Sequence, residues 1–381
     1  MRTHKYFEID NHLHRFVLIN TDPMQKNKKV TIQDVAHYAR VSAGTIDRVL
    51  HKRGKVSPEK IRIVEEAITK LNFNPNLLAR TLALGNQFNI CILMPSATSS
   101  GDYWSMPLQG LRTASAQFKD YGIISDFFFY DLFDEKSFIE QANRIIAMDP
   151  DGVVLAPLFI KEGKAFISHL KEKGIPYIFI DADIKGEQCL SYIGPDLKRS
   201  GYIAGKLLHS VLPEKGEILI VNMVKGFENA SAQRRIEAGF RNYFIKKGLK
   251  NRHIIHSLTI KSTGKEAINT ELTRHYIRHP AIEGVFATNS KAFLISEFHR
   301  VHDLDIRLVG FDLVKENIEH LKNGKIDYII SQSAVQQGKQ AIKTLFDFFI
   351  YNKMPDKVQY VPLDIIIREN LDFYLSFNGW K

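Results

Sequence analysis

Cysteine is scarce: only Cys91 and Cys189 occur in 381 residues, with no metal-ligand spacing. That excludes a disulfide scaffold and suits two buried thiols, in or beside strands, in a reducing compartment. Long apolar runs are missing too. In residues 1–28 the longest stretch is Phe16 to Ile19, too short for a secretory signal, which places the expected protein in the cytoplasm, away from membranes. Those residues are expected to be a disordered arm, the alternative being that Met24 is the true start. Catalytic signatures are equally thin. There is no GxSxG, no paired-glycine phosphate loop around Ser262-Thr263-Gly264-Lys265 and no strand-linked GxGxxG. His275 and His279 are spaced i, i+4 but lack the carboxylate of an HExxH arrangement, so they are expected to be a surface pair. No enzyme, cofactor or metal is expected.

Positive charge is plentiful. The net charge is +10, and residues 26–85 hold twelve Lys and Arg against five Asp and Glu. Clusters lie at Lys26-Lys28-Lys29 and Lys52-Arg53-Lys55, a local basic patch of the kind that binds phosphates.

Within that segment Val30 to Leu50 reads VTIQDVAHYARVSAGTIDRVL. Thr31 can cap a helix with Ile32, Val35 and Ala36 on one face; Ser42 can cap a second with Ile46, Val49 and Leu50 inward. Ala43, Gly44, Thr45, Asp47 and Arg48 then form a small polar outer face. Such a face lets a helix sit deep in a major groove, where Arg48 can grip guanine bidentately. Two amphipathic helices of an unrelated all-α module remain the alternative at this point. A basic loop beginning at His51 leads to Ser57-Pro58, a start signal for a third helix whose inward positions are Ile61, Val64, Ala67, Ile68 and Leu71. After Asn72-Phe73-Asn74-Pro75-Asn76 comes a run from Leu77 to Leu84, too short to be a stable helix alone in water.

The order VTIQDVAHYARVSAGTIDRVL … KVSPEKIRIVEEAITKLNFNPNLLARTLALG resembles the head-piece of LacI/GalR-family transcriptional regulators. The resemblance implies that Thr31, Ser42, Ala43, Gly44, Thr45, Arg48, His51 and Asn76 meet DNA, and that the run after Asn76 is a hinge helix formed on the operator. Leu82 then takes the place of the leucine that wedges into a minor-groove step, beside Ala79, with Arg80 near the backbone; wedging of this kind kinks the duplex. Asp47 departs from the family, which usually has a hydroxyl residue there to hold a phosphate.

From Phe88 onward short apolar runs alternate with helical patterns. Ten runs stand out, among them Asn89 to Met94, Tyr177 to Ile180, Leu308 to Phe311 and Ile365 to Ile367. Alternation of this kind predicts parallel α/β sheets, which bind ligands beyond the carboxyl ends of their strands. Polar and aromatic residues follow the runs: Asp102-Tyr103-Trp104, Asp181, Arg234 within Gln233-Arg234-Arg235, Asn289, Asp312 and Gln332. Individually each could be a turn former. Together they suit a polyol, whose C–H faces stack on aromatic rings and whose hydroxyls pair with Asp, Asn and Arg. This half resembles the sugar-binding periplasmic fold, most closely the ribose type, which implies stacking by Tyr103 and Trp104 and hydroxyl binding by the others. The ribose type has Arg directly after the first Asp; here the chain reads Asp181-Ala182-Asp183. That departure argues against ribose, and the extra carboxylate favours a hydroxyl-rich or cationic ligand over an acidic one.

The expected organisation is multidomain. Residues 1–28 are an extension, 29–74 an all-α helix-turn-helix domain, 75–87 a hinge helix and linker, and 88–381 a two-lobed α/β periplasmic-binding-protein-like domain. The expected function is a repressor that binds a double-stranded DNA operator as a homodimer under control of a monosaccharide-like effector. An exported sugar receptor with no regulatory role is the alternative, and the missing signal disfavours it. No leucine heptad extends the last strand, Pro362 to Asn370, so a dimer is expected rather than a tetramer.

Overall fold

The computed structural model describes residues 30–50, 54, 56–71, 87–97, 102–223, 230–262 and 264–379. The chain divides into two units, Met1–Asn76 and Leu77–Lys381.

In the first unit, helix α1 (Ile32–Ala39) begins at Thr31, whose hydroxyl accepts from the Asp34 amide while the Asp34 carboxylate accepts from the Thr31 amide at 2.7 Å. Two otherwise orphaned N–H groups are satisfied by this exchange. Arg40 then turns the chain through the left-handed region at φ 52°. Helix α2 (Ala43–Leu50) starts at Ser42, whose hydroxyl accepts from the Thr45 amide at 3.2 Å. Helix α3 (Pro58–Lys70) begins differently. Ser57 holds the cap position without a side-chain capping bond, and the fixed backbone of Pro58 sets the start. Val35, Ala36, Ala39, Ile46, Val64 and Ala67 form the buried centre, with Ile32, Val49, Ile68 and Leu71 packed around it.

The second unit is two α/β lobes. The first is built on β1 (Phe88–Pro95), β2 (Ile123–Tyr130), β3 (Gly152–Leu155), β4 (Tyr177–Ile180) and β5 (Ser191–Gly194). The second is built on β6 (Gly216–Met223), β7 (His253–Ile260), β8 (Ile282–Ala287), β9 (Arg307–Phe311) and β10 (Tyr328–Ser331). Strand β11 (Val358–Tyr360) returns to the first sheet and β12 (Asp364–Ile366) to the second. Strand orders are β2-β1-β3-β4-β5-β11 and β7-β6-β8-β9-β10-β12, parallel throughout except for β10 with β12. In both sheets the order reverses beside the first strand, which opens a crevice at the carboxyl ends of the strands.

Helices α4 (Ser105–Phe118), α5 (Glu135–Met148) and α6 (Ile160–Glu172) belong to the first lobe; α7 (Leu197–His209), α8 (Ala230–Lys246), α9 (Lys265–Arg278), α10 (Ala292–Val301) and α11 (Lys315–Lys322) belong to the second. Helix α12 (Ala334–Tyr351) packs back on α4 in the first lobe, and α13 (Arg368–Phe377) closes on the second. The chain therefore passes between lobes three times: after Gly194, after Ser331 and after Tyr360. Among the described residues no helix is long and apolar enough to cross a membrane.

One close approach positions the site. Helices α7 and α8 cross at Gly201 and Gly239, where an added Cβ would lie 1.8 Å from the Ile236 carbonyl oxygen and 1.9 Å from that of Lys198. Only the missing side chains let the two backbones touch.

Candidate functional site

A cavity of about 530 Å³ lies between the lobes, within the usual range for small-molecule sites. Its wall includes Asp102, Tyr103, Trp104, Asp181, Asn289, Asp312 and Gln332, residues from both lobes.

Asp181 and Asp312 occupy equivalent places in the two lobes. Each follows a parallel strand, β4 or β9, and each has left-handed backbone, at φ 65° and 62°. The Asp181 amide donates to the Ile193 carbonyl at 3.1 Å and the Asp312 amide to the Ile330 carbonyl at 3.0 Å. The backbone thus turns sharply at the end of each of these strands, placing a carboxyl at the crevice. Asp tolerates this backbone better than most residues, yet its recurrence at both strand ends marks a site.

Neighbours hold each carboxylate in place. The Tyr103 hydroxyl donates to Asp181. Gln332 donates to Asp312 twice, from its side-chain amide at 2.9 Å and its backbone amide at 3.3 Å. Burial pushes the Asp181 carboxyl up to about 6, with the Tyr103 hydrogen bond pulling the other way. Burial likewise pushes Asp312 up to about 7; the Gln332 bonds oppose this and the charge of Asp181 adds to it. The Tyr103 phenol is also raised, by burial and then by both carboxylates, so it remains a donor. Trp104 is only 5% exposed and meets Tyr103 edge-on, with centroids 5.2 Å apart at 83°. Asn289 is partly committed, since its amide donates to the Met223 carbonyl at 2.9 Å and its oxygen accepts from the Lys291 amide.

Arg234 does not line the cavity. It is exposed, and its neighbour Arg235 takes the place expected for it. The reason is helical phase: Ser231, Ala232, Gln233, Arg235 and Ile236 line the cleft from α8, and Arg234 falls on the opposite side of the helix. Arg235 reaches across from the second lobe to Asp183 of the first, at 2.6 Å. The charge of Asp183 is therefore compensated, and the extra carboxylate is no argument for a cationic ligand. Phe133 and Phe293 also line the cavity and were not anticipated from sequence. Phe133 lies just beyond β2, where the rule that found Trp104 would have found it.

In the first unit, Ser42, Ala43, Gly44 and Arg48 are exposed on α2, while Thr45 and Asp47 are half-buried. Thr31 is exposed, with its hydroxyl engaged in the cap of α1. His51, Asn76, Ala79, Arg80 and Leu82 lie outside the described residues.

Residues 31–76 match the bacterial regulatory proteins of the lacI family, and residues 90–350 match the periplasmic binding protein domain. The chain belongs to the LacI family of bacterial regulatory proteins. This regulator is 30% identical over 242 residues to catabolite control protein A of Staphylococcus epidermidis, covering 63% of this chain and 69% of that protein. It is 29% identical over 222 residues to catabolite control protein A of Staphylococcus aureus, covering 58% and 63%. It therefore spans about two thirds of the length of these curated relatives. Among solved structures, a candidate LacI transcriptional regulator from Bacteroides fragilis superimposes with TM-score 0.71 at 30% identity, over 76% of this chain and all 100% of that one. A glucose-galactose binding protein from Geobacillus stearothermophilus shares the fold at TM-score 0.66 and 17% identity, over 75% and 99%.

Proposed function

We propose that this LacI-family regulator is a cytoplasmic repressor whose homodimer binds a pseudo-palindromic operator, and that a neutral, hydroxyl-rich small molecule in the cleft controls that binding. A monosaccharide or a close derivative is the ligand class that fits best. One observation carries the reading: carboxylates at equivalent strand ends of both lobes, Asp181 and Asp312, line one cavity that has Trp104 in its wall. Hydroxyls can donate to the carboxylates, and a sugar's C–H face can pack on an aromatic ring. Among the described residues its wall carries five carboxyl side chains and two cations, Arg235 and Lys291, a balance that disfavours a phosphorylated ligand.

A ligand held by both lobes favours whichever lobe arrangement lets it touch both. Asp183 and Arg235 already bridge the lobes, but their side chains are 34% and 42% exposed, and such pairs are worth at most about 1 kcal/mol. The bridge is therefore weak enough for ligand contacts to decide the balance. For the operator, the exposed Ser42, Ala43, Gly44 and Arg48 offer the small residues and the guanidinium that a major-groove reader needs. The chain acts by binding rather than by catalysis, and needs no cofactor to do so.

The test is a thermal-shift screen of the full chain against monosaccharides and polyols, followed by mobility shift of DNA from the regulator's own upstream region. One sugar should stabilise the protein and change the shift. A panel without a stabiliser would remove the ligand assignment. At the hinge, Leu82→Ala should weaken specific operator binding and leave sugar affinity alone; unchanged operator affinity would remove the wedge role carried over to Leu82.

A further inference from the structure

On the second lobe the fold assembles three imidazoles that the sequence scatters. His275 and His279 lie one turn apart at the end of α9, and the edge strand β7 adds His256. Ring centroids are 3.9 Å apart for His256 and His279, 4.7 Å for His275 and His279, and 5.9 Å for His256 and His275. One nitrogen from each ring lies within 4.8 Å of the other two. The pair seen in the sequence, His275 and His279, thus gains a third imidazole from a neighbouring element.

We propose that His256, His275 and His279 form a binding site for a divalent transition-metal ion, Zn²⁺ by chemical preference. Imidazole is a ligand for zinc-class metals, and two histidines one helical turn apart give the two-point grip that such ions take on a helix. In a tetrahedral site with bonds of roughly 2.0–2.1 Å the donors stand about 3.3 Å apart, so small side-chain rotations close this set around an ion. His275 adds an independent sign: its Nε2 is buried and has no hydrogen-bond partner, although buried ring nitrogens normally find one. A metal would supply it.

Glu217 on β6 completes the surroundings. Its Oε2 lies 2.7 Å from His256 Nε2 and 3.8 Å from His279 Nδ1. A carboxylate behind a ligating histidine fixes the ring and raises its basicity. Three imidazoles leave a fourth position for water. The site is separate from the effector cleft: Glu217 is the second residue of β6, whereas the cleft residue Met223 is its last. An ion here would tie the edge strand β7 to the end of α9.

The chain has fourteen histidines, so binding by itself proves little and the comparison between variants decides. Metal-free full-length protein is titrated with Zn²⁺ by calorimetry in the presence of a competing chelator, and with Co²⁺ by visible absorption. The expected result is one tight site per chain, weakened about tenfold or more in His275→Gln and in His279→Gln, and about 10- to 100-fold in Glu217→Gln. Co²⁺ should give intense tetrahedral bands that disappear in His275→Gln. Equal Zn²⁺ affinity and stoichiometry in wild type and the His275→Gln/His279→Gln double variant would overturn the proposal, as would Co²⁺ bands that persist in it. Melting without metal checks folding; if His275→Gln does not fold, His279→Gln, at the partly exposed helix end, carries the test.

Discussion

Asp181 and Asp312 carry an energetic signature that can be measured before any ligand is known. Both carboxyls are raised by burial, to about 6 and about 7, from the ordinary 3.8. The folded chain therefore holds protons that the unfolded chain releases. Their contribution is most favourable below about pH 4 and is lost as pH rises through 6 to 7. A ligand hydroxyl that donates to these groups selects the ionised form, so binding near pH 6.5 should release protons. Calorimetry in buffers of different ionisation enthalpy would show this as a buffer-dependent heat, and a heat independent of buffer would contradict it. Asp312→Asn keeps the shape and tolerates the left-handed backbone, but loses the charge. Hydrogen bonds to charged groups are worth about 1.5–3 kcal/mol, so this change should weaken ligand binding roughly ten- to a hundredfold. Ligand-free melting at pH 8 should hold steady or rise, because a buried charge is gone. Arg235→Ala should likewise weaken ligand binding, whereas Arg234→Ala, off the cleft, should not; equal effects would contradict the assignment of α8.

How much of this was readable beforehand varied with the kind of element. Strands whose ends carry a polar residue beyond an aliphatic run were legible, and Asp181, Asn289, Asp312 and Gln332 all lie on the cavity as that rule anticipates. Strands β5 and β11 were not, because Ser191-Tyr192-Ile193-Gly194 has a single aliphatic residue and Val358-Gln359-Tyr360 is three residues long with a polar centre. Helical phase was the other gap. One residue of error at the start of α8 exchanged Arg235 for Arg234, because two adjacent arginines give the sequence no local pattern that sets the helical phase. His256 was invisible as a partner of His275 because only the packing of α9 on β7 brings it there. Packing between helices was equally hidden. The crossing of α7 and α8 at Gly201 and Gly239 leaves no room for a methyl group. Gly239→Ala should cost about 1–3 kcal/mol and displace α8 with Arg235, lowering both melting temperature and ligand affinity. Unchanged melting would show that the helices separate freely.

For the chain as a whole, the account requires the cleft and the head-piece to share one equilibrium. Linkage makes that requirement quantitative: whatever factor the ligand imposes on operator affinity, the operator must impose on ligand affinity. Factors of roughly 5 to 150 are typical of such coupling. The most direct measurement is operator affinity of the full chain at fixed salt, with and without saturating cleft ligand, in wild type and in Asp312→Asn. The account predicts a change of about tenfold or more in wild type, matched by the reciprocal change in ligand affinity. It also predicts that Asp312→Asn binds operator like ligand-free wild type and no longer responds at the same ligand concentration. Identical operator affinity with and without ligand, at proven saturation of the cleft, would contradict it.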